Sequence, residues 1–212
     1  GTGEEAHDHW DDDPASESLQ TQLSHVSAQE RSDRYGQRPA TILLTGLTGA
    51  GKTTIAYALE RRLFDQGRAC TVLDGQNMRI GISKDLGFTG EDRSENLRRS
   101  AEVAKMLNHA GLLCIAAFVA PSEEVRQRAA EVVGQDQFLT IHLHAPMEVC
   151  RERDTEGRYA QADSGEISNF PGVSADYDVP PAPDLSLATD QFSVVECVDQ
   201  IIALLEARQL LV

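Results

Sequence analysis

Residues 40–53 read ATILLTGLTGAGKT, an apolar run followed at once by a glycine-rich turn that ends in lysine and threonine. The run over 40–45 is short and almost wholly apolar, as expected of a strand buried on both faces. The turn, Gly46-Leu47-Thr48-Gly49-Ala50-Gly51-Lys52-Thr53, matches G-x-x-x-x-G-K-[ST] at every fixed position. Behind it Ile55, Ala58, Leu59 and Leu63 recur at helical spacing over 52–66, and Gly67 stops the pattern. A strand, a glycine turn and a helix in that order form a phosphate-binding loop. The glycines let backbone N–H groups turn inward onto phosphate oxygens, and the helix adds its positive N-terminal end. Lys52 is expected to reach the β and γ phosphates, and the Thr53 hydroxyl to hold Mg²⁺. The chain is therefore expected to bind a nucleoside triphosphate.

The same alternation continues outward. Apolar runs over 70–73, 112–119, 138–143 and 185–187 read as further strands. Helical spacing fills 93–110, the stretch after Pro121 to about residue 133, the stretch from Pro146, and a C-terminal segment marked by Val195, Val198, Ile202 and Leu205. Strands alternating with helices mean βαβ units, so the expected fold is a three-layer α/β/α domain of the P-loop NTPase type on a five-stranded parallel sheet. Residues 38–212 are expected to form this domain. Residues 1–37 read as an acidic extension, disordered through residue 17 and then a short helix from Ser18 carrying Leu19, Leu23 and Val26. His7 and His9 beside Asp8 and Asp11 read as part of a solvated acidic tail.

Composition narrows the partners. The 212 residues carry 19 Lys and Arg against 34 Asp and Glu, a net charge of −15. Such a field repels nucleic acid and anionic membranes, so neither is expected, while a small anion can bind where a local pocket reverses the sign. No apolar run is long enough to cross a membrane, and no basic stretch followed by an apolar one opens the sequence, so secretion is not expected. The cysteines, Cys70, Cys114, Cys150 and Cys197, are far apart and fit reduced thiols in a cytoplasmic protein. His142 and His144 alternate on one strand and read as a surface-facing strand end. His109, at a helix end, suits the negative C-terminal dipole.

Past the loop, Asp74 ends the next strand, which places a carboxylate beside the phosphates. It can hold the water shell of Mg²⁺ or accept a hydroxyl proton. No Asn-Lys-x-Asp segment for reading guanine occurs, and the compact layout suits a small metabolite kinase. Arg79 and Arg93 could fork onto an anionic acceptor, and Phe88 could stack on a base. The plainer alternative pairs these arginines with Glu91, Asp92 or Glu95.

In order along the chain stand GLTGAGKTT, LDGQNMR, KDLGF, EDRSENLRR, the EVAK of 102–105, MEVCRERD, GEISNF and the tract Tyr177-Asp178-Val179-Pro180. With these blocks the sequence resembles the adenylylsulfate kinase (APS kinase) family from about Arg38 to the C-terminus. The resemblance implies ATP-dependent phosphorylation of the 3′-hydroxyl of adenosine 5′-phosphosulfate to 3′-phosphoadenosine 5′-phosphosulfate. It places Gly46, Thr48, Gly49, Ala50, Gly51, Lys52, Thr53, Thr54 and Arg153 on ATP, with Lys52 and Asp74 catalytic and Thr53 and Asp74 on Mg²⁺. It puts Gln76, Asn77, Arg79, Phe88, Arg93, Asn96, Val119, Ala120 and Phe170 around the acceptor, under a mobile lid at about 151–172. A homodimer is implied, with ATP sulfurylase as a fused or separate partner.

The sequence also departs from the family. Gln76 stands where an aspartate is usual, Ala120 where a serine is usual, and Pro171 where a threonine is usual. Glu156 and Asp163 are acidic where the family's lid is basic, with Arg151, Arg153 and the newly placed Arg158 nearby. Two other readings therefore stay open: a nucleotide-binding regulatory domain without transfer, and a kinase for a different nucleotide-like acceptor.

Overall fold

The computed structural model describes residues 8–212. In chain order the elements are α1 (Ala28–Tyr35), β1 (Thr41–Thr45), α2 (Lys52–Asp65), β2 (Cys70–Asp74), α3 (Gly75–Ile80), α4 (Gly90–His109), β3 (Leu113–Phe118), α5 (Glu123–Val133), β4 (Phe138–His144), α6 (Met147–Glu152), α7 (Arg158–Asp163), β5 (Leu185–Ala188) and α8 (Val194–Ala207). All five strands are parallel, in the order β2-β3-β1-β4-β5. The central strand β1 is wholly buried, as its unbroken apolar run requires of a strand covered on both faces.

Two apolar layers cover the sheet. On one side Ile42, Leu44, Ile115 and Ile141 meet Ile55, Leu59 and Leu63 of α2 and Val198, Ile201 and Leu205 of α8. On the other, Leu43, Cys114, Ala116 and Phe118 meet Leu97, Ala101 and Ala104 of α4 and Ala129 and Val133 of α5. Side-chain caps set several helix starts. Thr89 accepts from the Asp92 N–H, Ser122 from the Val125 N–H, and Ser193 forms a capping box with Glu196. Because β1 lies between β3 and β4, the chain reverses its winding there. The turns after β1, β2 and β3 thus open at one edge, where open α/β sheets bind ligands. Among the described residues no helix is long and apolar enough to cross a membrane.

Three expectations change. The spacing of Leu19, Leu23 and Val26 does not form a helix, and all three are exposed. The short helix is α1, which begins where Ser27 and Glu30 cap each other. Residues 8–14 are also placed, because Trp10 packs on the α4–α5 layer and its indole N–H donates to Ser94 Oγ at 2.9 Å. Asp8 and Asp11 pair with Arg128. His7 lies outside the described residues. Finally, His142 is buried, stacked on Tyr177 at 6.0 Å, while only His144 is exposed. Burial, followed by the charges of His144 and Arg126, pushes His142 down to about 4, so it is neutral at physiological pH.

Candidate active site

The phosphate loop joins β1 to α2, and its glycines are dictated by close approach. A Cβ on Gly46 would strike the Leu143 carbonyl, and one on Gly49, at φ 85°, would strike the Cys150 carbonyl. The loop is braced from outside. The Tyr159 hydroxyl donates to Thr48 O at 2.5 Å, and the Thr189 hydroxyl donates to Ala50 O at 2.8 Å. Arg153 donates to Gly49 O, to Thr189 Oγ1 and to Thr189 O at 3.2, 3.0 and 2.9 Å. Arg153 is thus at the loop, engaged with its carbonyls. Thr53 and Thr54 sit in the first turn of α2 and are exposed.

Lys52 folds back under the loop, where Nζ donates to Leu47 O at 2.8 Å. Burial above all, with a smaller push from the nearby Arg158, brings its ammonium down to about 8. Bound phosphates would pull that pKa back up, so binding takes up protons near and above pH 8. As pH rises past about 8 the free lysine loses its charge, and the nucleotide must recruit a proton. Calorimetry of Mg-ATP binding in buffers of different ionisation heat should show proton uptake there, with affinity falling as pH rises. Binding without proton exchange would contradict the buried ammonium.

Asp74 ends β2 and caps α3. Its Oδ1 accepts from the N–H groups of Gln76 and Asn77 at 3.0 and 2.9 Å. Its Oδ2 accepts from the Tyr57 hydroxyl at 2.7 Å and from Asn77 Nδ2 at 2.8 Å. The hydrogen bond to this carboxylate, together with partial burial, pushes Tyr57 up to about 12. The phenol therefore stays a donor across the working range. The Gln76 side chain is exposed.

Beside α3 lies a concentration of positive charge. Arg79 donates to Gly87 O and Gly75 O, and its guanidinium lies 4.3 Å over the exposed ring of Phe88. The guanidinium of Arg93, on the first turns of α4, has neither a hydrogen-bond nor an ion-pair partner among the described residues. Burial lowers the pKa of both arginines, and Arg93 and Arg158 lower Arg79 further. Asp92 lies near enough for its charge to raise the Arg79 pKa in part, but no neighbouring acid forms an ion pair with either guanidinium among the described residues. Glu95 is held by Arg98 and Arg99, Asp85 by Arg99, and Asp92 accepts from the Gly87 N–H. Asn96 is 1% exposed and donates to Gly75 O at 3.3 Å, while its buried Oδ1 has no partner. An unpaired buried acceptor is costly, so Asn96 Oδ1 is aimed where a ligand donor could satisfy it.

Val119 and Ala120 follow β3 and stand across from Asp74, which pairs with Ala117 in the sheet. The Phe170 ring packs edge-on against Tyr159 at 5.1 Å, in the core cluster that also holds Ala50 and Cys150. The two lid residues that are acidic where the family is basic are both ion-paired: Glu156 with Arg158 at 2.7 Å, and Asp163 with both terminal nitrogens of Arg151.

Tyr57, Tyr159 and Thr189 were not singled out in the sequence. Tyr57 could have been, since it lies four residues after Thr53 and so shares its helix face. Tyr159 and Thr189 approach the loop only through tertiary packing.

The family model for adenylylsulphate kinase matches residues 38–188. A bifunctional enzyme CysN/CysC from Rhodopirellula baltica is 55% identical over 199 residues, covering 94% of this chain, which spans only 31% of that protein. An adenylyl-sulfate kinase from Phocaeicola vulgatus is 46% identical over 84% of this chain and 88% of its own length. Among solved structures, the Mycobacterium tuberculosis APS kinase CysC in complex with AMPPNP and APS superposes with a TM-score of 0.77 at 40% identity, covering 80% of this chain and 99% of that one.

Proposed function

Because the chain belongs to the adenylylsulphate kinase family, we propose that it transfers the γ-phosphoryl group of ATP to the 3′-hydroxyl of adenosine 5′-phosphosulfate. The products are ADP, 3′-phosphoadenosine 5′-phosphosulfate and the proton of the hydroxyl. The observation that carries this reading is the pair of half-buried guanidiniums, Arg79 and Arg93, neither of which forms an ion pair among the described residues, in a chain of net charge −15. Keeping such charges unpaired and partly desolvated is costly unless an anion completes the site. A phosphosulfate does so, with Phe88 and Arg79 as the adjoining stacking surface and Asn96 Oδ1 accepting from the nucleoside.

In this reading the loop N–H groups and Lys52 hold the ATP phosphates, and Lys52 offsets charge on the transferring group. Asp74, backed by Tyr57 and Asn77, orients the attacking 3′-oxygen and takes its proton. Gln76, Val119 and Ala120 line the acceptor side, and Arg153 shapes the loop on the ATP side. The donors on hand for a metal are oxygen atoms only, the exposed Thr53 hydroxyl and the Asp74 carboxylate, a set that suits Mg²⁺. When bound, Mg²⁺ neutralises phosphate charge. The segment 151–172 acts as the lid, and Glu156 and Asp163, acidic where the family is basic, do not oppose this reading because each is ion-paired, with Arg158 and Arg151.

We further infer a cytoplasmic enzyme, in keeping with four free cysteines, and a homodimer that works with ATP sulfurylase as a fused or separate partner. Residues 38–212 form the kinase domain and 1–37 an extension to it.

Arg93→Ala tests the acceptor site. By calorimetry it should weaken adenosine 5′-phosphosulfate binding by about 10- to 100-fold, the worth of a charge-assisted hydrogen bond, with ATP affinity unchanged. Unchanged acceptor binding would place the phosphosulfate elsewhere. Tight binding of AMP but not of the phosphosulfate would point to a different acceptor.

A further inference from the structure

The tract Tyr177-Asp178 has no part in the mechanism above, yet it is bonded closely to the acceptor side. Three consecutive carbonyls after β3 are each held by a different donor. The Thr45 hydroxyl donates to Val119 O at 2.6 Å, Arg126 Nη1 donates to Ala120 O at 2.5 Å, and the Asp178 N–H donates to Pro121 O at 2.8 Å. The donors are themselves linked. Thr45 has one hydroxyl proton and gives it to Val119, so in its 2.8 Å contact with the Tyr177 hydroxyl the phenol is the donor. Arg126 Nη2 donates to Asp178 O at 2.5 Å and also to Glu123 Oε2, and its guanidinium lies 5.7 Å from the centre of the Tyr177 ring. The Asp178 carboxylate accepts from the Glu123 N–H.

Two features show that this network holds something under strain. Ala120 has φ 45°, a left-handed conformation that a non-glycine residue keeps only when its surroundings enforce it. Arg126 is 2% exposed, the most buried charged side chain among the described residues. Burying a guanidinium is a poor route to stability alone, since well-packed apolar groups often do as well. The turn it holds faces the reaction site. Asp74 pairs with Ala117 just before the turn, and Phe118 packs within 3.5 Å of the position a Gly75 Cβ would take. Tyr177 and Asp178 also lie on the chain that leaves the lid segment.

We propose that Arg126 and Tyr177 are positioning residues for the acceptor: they fix the turn at residues 119–121 as its rigid back wall and tie that wall to the chain returning from the lid. This rests on the acceptor site described under the proposed function. ATP, held by the loop and α2, does not depend on the wall.

The test uses the full chain with Tyr177→Phe and Arg126→Lys. Tyr177→Phe keeps the ring and removes one hydroxyl. Its KM for adenosine 5′-phosphosulfate should rise about fivefold, the worth of one ordinary hydrogen bond, with the KM for ATP unchanged. Arg126→Lys loses the fork that joins Ala120 to Asp178, so its acceptor KM should rise further, by about 30-fold. If Arg126→Lys fails to fold, Tyr177→Phe alone decides. Acceptor and ATP KM rising together, or a lower Tm with both KM values unchanged, would mean a merely structural role and overturn the proposal. A wild type without acceptor-dependent turnover would overturn the proposed function, and this inference with it.

Discussion

Asp74→Asn is expected to lower kcat by at least about 100-fold while leaving ATP binding within a few-fold of wild type. The carboxylate is buried, and its lone pairs meet four donors: two backbone N–H groups, the Tyr57 phenol and the Asn77 amide. These donors fix the orientation of the carboxylate. An asparagine keeps one oxygen for the backbone cap, so α3 should survive, because Asn caps helices as well as Asp. Its amide nitrogen would then face the Tyr57 hydroxyl and Asn77 Nδ2, setting donor against donor where a base is needed. Steady-state kinetics with calorimetric ATP binding check this. A variant that keeps its kcat would remove Asp74 as the proton acceptor.

Lys52→Met should lose about 100- to 1,000-fold in kcat, the usual effect of removing one preorganised donor from a charged transition state. Its effect on stability runs the other way. The ammonium is held under the loop with its pKa depressed to about 8, so at neutral pH the ligand-free protein bears a desolvation cost. The sign follows from linkage: between pH 8 and the ordinary lysine range the unfolded chain binds the extra proton, so stability from this group rises with pH. A thioether of similar length removes that cost. The ligand-free variant should melt at or above the wild-type Tm at neutral pH while turning over far more slowly. A lower Tm, or a kcat within tenfold of wild type, would show that Lys52 is neither desolvated nor central to transfer.

Much of this arrangement is legible along the chain, for local reasons. The strand–glycine turn–helix at 40–66 announces the phosphate loop, because loop geometry and helix dipole depend on contiguous residues. The βαβ alternation follows from apolar periodicity and gives the parallel sheet. Arg79 and Arg93 draw notice as positive charges soon after the loop, whereas Asn96 is marked only by the family resemblance.

What escapes such a reading depends on contacts between distant residues. Asp74 reads along the chain only as the end of a strand, but its side chain also accepts from the N–H groups of Gln76 and Asn77 and so starts α3. The acidic residues of the lid suggest lost positive charge, and only folding shows that Arg158 and Arg151 neutralise Glu156 and Asp163. Trp10, in an acidic stretch with too little apolar content to order itself, is seated because α4 and α5 leave a place for it.

The most direct test of the proposed activity is ADP release from Mg-ATP, measured with and without adenosine 5′-phosphosulfate. ADP should form only when the acceptor is present, with the new phosphate on its 3′-oxygen. Tight acceptor binding with no ADP formed would contradict that activity and make the domain a nucleotide binder that does not transfer phosphate.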